Sequence, residues 1–354
     1  MWIITARLTN YLKKNTKTVQ IKTATFKNIN QNMKRFLLIA CVFFLTASSC
    51  FVFAQNNFIH SKGKILGADI SFLPQLEADG RKFIDNGAEK DAIQILKDHG
   101  FNYIRLRIFN NPRADNGYSA KGFCDLESTK KMALRIKAAK MKFLLDFHYS
   151  DNWADPGKQH KPSAWTNMSF DQMTTAIREY TKNVIQALKD QGTLPDMVQV
   201  GNEINHGMIW PDGNIRNLDT LAAYIKAGIA GVKDVDSKAN IMLHIACGGQ
   251  NAESRYFLDN MLSRNVKFDI IGQSYYPKWH GTIADLKNNL TDLSSRYKQK
   301  IIVVEYSELK REVNDVVFNL PHNRGMGTFI WEPISWGETV FNKDGKTNAL
   351  IDIF

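Results

Sequence analysis

Met197-Val198-Gln199-Val200-Gly201-Asn202-Glu203 is a short aliphatic run that leads into a polar pair, and Ile301-Ile302-Val303-Val304-Glu305 repeats the pattern about 100 residues later. Short β-branched runs of this kind read as strands of a parallel sheet buried on both faces. Working outward from them, the same signal recurs at Ile65–Ile70, Tyr103–Ile108, Lys142–Phe147, Asn240–Ile245, Phe268–Gln273 and Gly327–Trp331, which makes eight strands with Met197–Asn202 and Lys300–Glu305. No Pro/Ser-rich linker or charge block divides them, so one domain is expected.

Helical patterns lie between the strands. Phe170, Met173, Ile177, Tyr180, Val184 and Leu188 recur every three or four residues and give one apolar face. Asp91–His99 closes on the glycine cap Gly100, and Ser128–Lys140, Leu221–Val232 and Ile283–Tyr297 complete the readable set. Alternation of this kind implies an α/β fold, a single (β/α)8 TIM barrel. An open doubly wound sheet would carry a glycine-rich phosphate turn after its first strand, and Gly67-Ala68-Asp69-Ile70-Ser71 lacks that spacing.

The N-terminus has a different character. Met33-Lys34-Arg35, the apolar run Phe36–Leu45 and the small residues Ala47, Ser48 and Ser49 follow the order of a secretory signal. Residues 1–54 are therefore expected to be an N-terminal extension plus a signal starting at about Met33, and residues 55–354 the barrel domain. Cleavage after Ala54 is favoured over lipid attachment at Cys50, where Ala47 departs from the usual lipobox. In either case the protein is expected to be exported.

That division changes the meaning of the charge. The whole chain carries +11, but residues 1–54 hold eight Lys or Arg and no acid, which leaves 38 basic against 35 acidic residues beyond them. No basic run interleaved with aromatics remains, so a nucleic-acid partner is not expected, and no protein partner is predicted. Cys124 and Cys247, the two cysteines outside the leader, read as buried free thiols. No Cys/His cluster has zinc spacing.

Chemistry-bearing residues collect at the predicted strand ends. They are Asp69, Arg105 and Arg107, Asp146 with His148, Asn202 with Glu203, His244, Gln273 with Tyr275, Glu305 and Trp331. In a TIM barrel those ends form the working face, so two glutamates distant in sequence can meet there. Two carboxylates flanking a sugar linkage are the machinery of glycoside hydrolysis. Glu203 fits the acid/base and Glu305 the nucleophile, with Arg105 or Arg107 and a sixth-strand tyrosine as donors to the latter. Asp146, His148, Asp151 and Trp153 lie in a polar, aromatic loop suited to a glycan. Trp165, Trp210, Trp279 and Trp336 lie near the same face, and only one or two of them are expected to join Trp331 on a ligand.

Leu145-Asp146-Phe147-His148-Tyr149-Ser150-Asp151, Trp153-Ala154-Asp155-Pro156-Gly157, Val200-Gly201-Asn202-Glu203-Ile204, Ser274-Tyr275-Tyr276-Pro277, Val303-Val304-Glu305 and Trp331-Glu332-Pro333 together closely resemble the endo-β-1,4-galactanases, family 53 of the glycoside hydrolases. The resemblance implies a barrel that cleaves β-1,4-galactan with retention through a covalent galactosyl intermediate. By motif, Glu203 matches the acid/base and Glu305 the nucleophile, while Asn202, Asp146, His148, Tyr275 and Trp331 fall where the family lines its cleft. The chain departs from the family at Tyr306-Ser307, where a threonine often comes first, and at Phe109, where a tryptophan is common. Some bacterial relatives bind calcium in their last loops, but Asn342-Lys343-Asp344-Gly345 is too weak a match to call for it, so no cofactor or metal is expected. Two rival functions remain at this stage: the same mechanism on mannan, xylan or glucan, and a non-catalytic surface glycan-binding protein.

Overall fold

The computed structural model describes residues 63–354, which form one unit. The leader, its cleavage site and Cys50 lie outside the described residues. Eight parallel strands close into a barrel: β1 (Ile65–Asp69), β2 (Tyr103–Ile108), β3 (Lys142–Phe147), β4 (Met197–Val200), β5 (Asn240–Ile245), β6 (Ile270–Tyr275), β7 (Lys300–Tyr306) and β8 (Gly325–Trp331). The expected Phe268–Gln273 strand thus sits two residues further on, because Asp269 is used before the strand begins. Its carboxylate accepts the Ile241 N–H and its carbonyl the Lys300 N–H.

Seven α-helices make the crossovers: α1 (Ala92–Asp98), α2 (Leu126–Ala138), α3 (Phe170–Asp190), α4 (Leu218–Val235), α5 (Asn251–Ser263), α6 (Ile283–Arg296) and α7 (Lys310–Phe318). Four of their starts follow from side chains that satisfy orphan amides. Asp91 caps α1, Asp125 caps α2, and Ser169/Gln172 and Thr282/Asp285 form reciprocal capping boxes on α3 and α6. α5 and α7 escaped the sequence reading: the apolar residues of Asn251–Ser263 are weakly segregated from its polar ones, and Lys310–Phe318 spans only nine residues, with Val313 and Val317 on its buried face. After β8 the described residues hold a 3-10 turn, Ala349–Asp352, where an eighth helix would pack.

Strand alternation divides the side chains. Leu66, Ile104, Leu145, Val198, Leu243, Ile271, Val303 and Ile330 point outward and pack beneath the helices in the main core. Ile65, Tyr103, Leu144, Met197, Met242, Ile270, Ile302, Val304 and Phe329 point inward and plug the barrel from below. Gly67 leaves room for that plug, since a Cβ there would lie 2.3 Å from the Phe329 ring. Above the plug the inward layer turns polar with Asp69, Arg105, Asp146, Gln199 and His244, each almost wholly buried.

Candidate active site

Two local departures from regular strand geometry aim the glutamates. At the end of β4, Gly201 (φ +88°) and Glu203 (φ +49°) both adopt left-handed backbone, which turns the chain off the strand with Asn202 and Glu203 facing the barrel mouth. A Cβ at Gly201 would lie 2.6 Å from Ile204, so this position requires glycine for space as well as for φ. In β7 the pairing slips against both neighbours: Gln273 faces Val303 but Ser274 faces Glu305, and Thr328 faces Val303 while Ile330 faces Tyr306. The extra residue is a β-bulge at Val304–Glu305. By strict alternation Glu305 would share the outward side of Ile301 and Val303; the bulge re-aims it inward.

Arg105 ties the polar layer together. Its five N–H groups meet five acceptors: Nε the Gln199 Oε1 at 3.2 Å, Nη1 the Asp69 Oδ2 at 3.0 Å and Glu305 Oε2 at 3.1 Å, Nη2 the Asp146 Oδ2 and Asn202 Oδ1 at 2.9 Å each. A guanidinium with every donor satisfied is a rigid template, and burial of its charge is compensated by three carboxylates. Asn202 is held on its other side by donating to the Ala154 carbonyl at 2.9 Å. That loop is in turn fixed by His148, whose Nε2 lies 3.1 Å from Asp146 while its Nδ1 accepts the Ala154 N–H. Asp146 stays below the usual carboxylate range: burial opposes this, but Arg105 and His148 outweigh it.

The glutamates sit in different surroundings. Glu203 accepts one hydrogen bond, from the Ser274 hydroxyl to Oε1 at 2.6 Å. Glu305 accepts two, from Arg105 to Oε2 and from the Tyr276 hydroxyl to Oε1 at 2.8 Å. Burial, followed by the charge of Glu305, pushes Glu203 up to about 8, with Ser274 and Arg105 pulling the other way. Burial also raises Glu305, but Arg105 and Tyr276 oppose it. A single proton shared by the pair therefore resides on Glu203. Ser274 is the ladder partner of Glu305 and touches Glu203, so the two carboxyls share one short stretch of cleft wall.

Two cavities meet at that pair. One of about 230 Å³ is lined by Asp69, Arg105, Asp146, Asn202 and Trp331 with both glutamates. The other, of about 510 Å³, opens on the Glu203 side toward His206, Gln250, Glu253, Tyr276 and Trp279. An acidic proton donor between two pockets, with an ionised carboxylate opposite, suits cleavage of a linkage that spans them.

A sequence model described as Glycosyl hydrolase family 53 matches residues 65–315, well over half of the chain. The chain belongs to glycosyl hydrolase family 53. An uncharacterized protein in the bgaB 5′ region of Niallia circulans is 48% identical over 68% of this chain and 66% of its own length, so the match spans just under two thirds of that relative. A probable arabinogalactan endo-beta-1,4-galactanase A of Neosartorya fischeri is 32% identical over 81% of this chain and 88% of its own. Among solved structures, the GH53 catalytic domain of Ignisphaera aggregans matches with a TM-score of 0.77 at 32% identity, over 82% of this chain and 95% of that one.

In this family 53 glycoside hydrolase the barrel brings Asp69, Arg105, Arg107, Asp146, His148, Trp153, Asn202, Glu203, Glu305 and Trp331 around the smaller cavity. Arg107 does not reach Glu305. It donates to Glu332 Oε1 at 2.7 Å and lies between the rings of Phe72 and Trp153, at 4.4 and 4.3 Å from their centroids. Asp151 fastens a loop instead of facing the glutamates, its carboxylate accepting from the Asn111 and Ser163 amides and the Ser163 hydroxyl. Tyr275 requires a correction: its side chain is fully buried on the outer side of the barrel, and its hydroxyl donates to the Gly281 carbonyl. Strand alternation places Ile271, Gln273 and Tyr275 outward, so the cleft tyrosine is Tyr276. Trp336 packs edge-on against Trp331 at 4.7 Å and Trp279 is exposed at the larger cavity, whereas Trp165 is buried against Tyr180. Ser274, Tyr276 and Gln199 escaped the sequence reading. Counting parity from the inward Ile270 and Met197 would have found all three.

The two cysteines outside the leader, Cys124 and Cys247, are free and buried. Among the described residues no group of three or more His, Cys, Asp or Glu side chains is arranged to hold a metal ion.

Proposed function

We propose that this chain is a retaining endo-hydrolase of β-1,4-galactan, with Glu203 as acid/base and Glu305 as nucleophile. The observation that carries the reading is the unequal environment of two glutamates on one cleft: Glu203 with a single hydroxyl donor and a strongly raised proton affinity, Glu305 with a guanidinium and a phenol. Glu305 attacks the anomeric carbon while Glu203 protonates the departing glycosidic oxygen, giving a galactosyl ester and the shortened chain. Glu203, now ionised, takes a proton from water as that water attacks the anomeric carbon, which frees Glu305 and restores the acid. Asn202, held by Arg105 and Ala154, keeps one amide N–H for the sugar 2-hydroxyl. Asp69, Asp146 and His148 act through this frame, and Trp153 and Trp331 offer aromatic surface to the sugar.

The substrate class rests on family membership and on relatives named as galactanases. Pectic galactan is the polymer we expect, with export supported by the Met33–Ala54 leader. The test is a time course of products from linear β-1,4-galactan beside mannan, xylan and β-glucan. A ladder of galacto-oligosaccharides at early times is expected. Hydrolysis of mannan or xylan without galactan would overturn the substrate, and mono- or disaccharide alone from the first minutes would overturn the endo mode.

A further inference from the structure

Two buried polar side chains have no part in the double displacement as written. His244 lies wholly inside the barrel on β5, with Nε2 2.8 Å from Ser274 Oγ and Nδ1 3.1 Å from Gln199 Nε2 and 2.9 Å from Asn202 Oδ1. Ser274, on β6, is also fully buried and lies 2.6 Å from Glu203 Oε1. A serine hydroxyl has one proton to give. If it goes to Glu203, Ser274 Oγ must accept from His244, so the imidazole carries its proton on Nε2 and turns Nδ1 toward the Gln199 amide N–H. Burial and the nearby Arg105 guanidinium hold the imidazole well below its ordinary value, so it is neutral and has one N–H to place. The two close contacts of Nδ1 then differ in sign: Gln199 donates to it, while Asn202 Oδ1 presents a second lone pair. Once Glu203 ionises, a charged acceptor at the far end of the chain outweighs that repulsion.

We propose that His244 and Ser274 are positioning residues for the acid/base: the His244 Nε2–H fixes the Ser274 hydroxyl as a dedicated donor to Glu203 Oε1, which leaves the other carboxyl oxygen free for the glycosidic oxygen and then for water. The arrangement rests on the role given to Glu203 above. A donor hydrogen bond strengthens when its acceptor ionises, so the relay favours the base form and eases the second half of the cycle, in which Glu203 must accept a proton. It also counters the burial that would otherwise keep Glu203 protonated. The remaining charged and titratable groups around Glu203 are Glu305 on β7, Asp155 in the loop after β3, Arg105 on β2, Tyr276 after β6 and Cys247 after β5. None of these is altered by substitutions at 244 or 274.

The experiment is a pH titration of the Glu203 carboxyl carbon by 13C NMR, assigned by the signal that disappears in Glu203→Gln, in the wild type, Ser274→Ala, His244→Leu and His244→Gln. Ser274→Ala and His244→Leu should move the midpoint upward by roughly one to two pH units, the amount one hydrogen bond to a charged group supplies. His244→Gln, whose amide can reach the hydroxyl as a donor, should return it toward the wild-type position. With an aryl β-galactobioside whose phenol departs without acid help, Ser274→Ala should lower kcat about tenfold and lower KM with it, because the intermediate accumulates when base catalysis weakens. Folded Ser274→Ala and His244→Leu proteins with the wild-type midpoint would overturn the relay. The titration uses no substrate, so a shifted midpoint in a protein that ignores galactan would sink the substrate reading and leave the relay standing.

Discussion

The ends of β4 and β7 solve the same problem by different means. β4 delivers Glu203 through two left-handed residues, on backbone that has already left the ladder, and supplies its carboxyl with one neutral donor. β7 delivers Glu305 through a bulge within the ladder, on backbone still paired with β6, and supplies it with a cation and a phenol. The proposed acid/base has a single neutral donor, and the proposed nucleophile stands against a saturated arginine. The difference teaches that the two roles are set by the donors that surrounding strands present, because the side chains are identical.

The sharpest way to break this contrast is to remove each carboxylate in turn. Glu305→Ala should lower turnover on galactan by on the order of 10⁴-fold or more, as loss of a nucleophile does elsewhere, while oligosaccharide binding survives. Azide should restore part of the rate by entering where the carboxylate stood. Wild-type turnover in this variant would remove Glu305 from the mechanism.

Glu203→Gln should cost less, roughly 10² to 10⁴-fold, the range over which a positioned acid or base acts. Its signature is in the pH profile. Wild-type activity should fall on the acid side as Glu305 takes up a proton and on the alkaline side as Glu203, pushed up to about 8, loses its own. The variant should keep the first limb and lose the second. An unchanged bell in kcat/KM against pH would mean that some other group is the acid.

The strands and their inward residues were legible because β-branched runs and period-two alternation are properties of the chain itself. Asp69, Arg105, Asp146 and Asn202 could be picked out as polar residues breaking apolar runs at strand ends, and the barrel gathers them. What the alternation could not supply was its own interruption. The Val304–Glu305 bulge is caused by the pairing of β7 with two neighbours, so nothing within Ile301–Glu305 reports it. Glu305 was expected at the barrel mouth because it ends an aliphatic run, and its carboxylate lines the cavity there against the parity of its own strand. At β6 the error ran the other way: parity held, and choosing Tyr275 over Tyr276 ignored it. Arg105 and Arg107 were offered to Glu305 as alternatives, and what separates them is Glu332, which approaches Arg107 from the far end of the chain.

The adjacent tyrosines give the finest test of how the strands divide the labour. Tyr276→Phe removes a donor from an ionised Glu305, and a hydrogen bond to a charged group is worth about 1.5–3 kcal/mol, so kcat/KM should fall about 10 to 100-fold. The acid limb should also move to higher pH, because the phenol is one of the groups that lowers Glu305's affinity for a proton. Tyr275→Phe removes a hydroxyl from the outer side of the same strand, where it holds the Gly281 carbonyl. Stability should drop by about 1 kcal/mol, the usual worth of a neutral hydrogen bond, with kcat/KM and both limbs unchanged. Side by side in denaturant melts and pH-rate profiles, the two variants should separate cleanly into one that loses rate and one that loses stability. A Tyr275→Phe protein with a displaced acid limb would mean that β6 presents its odd-numbered residues to the cleft, and the register with β7 that re-aims Glu305 would have to be wrong as well.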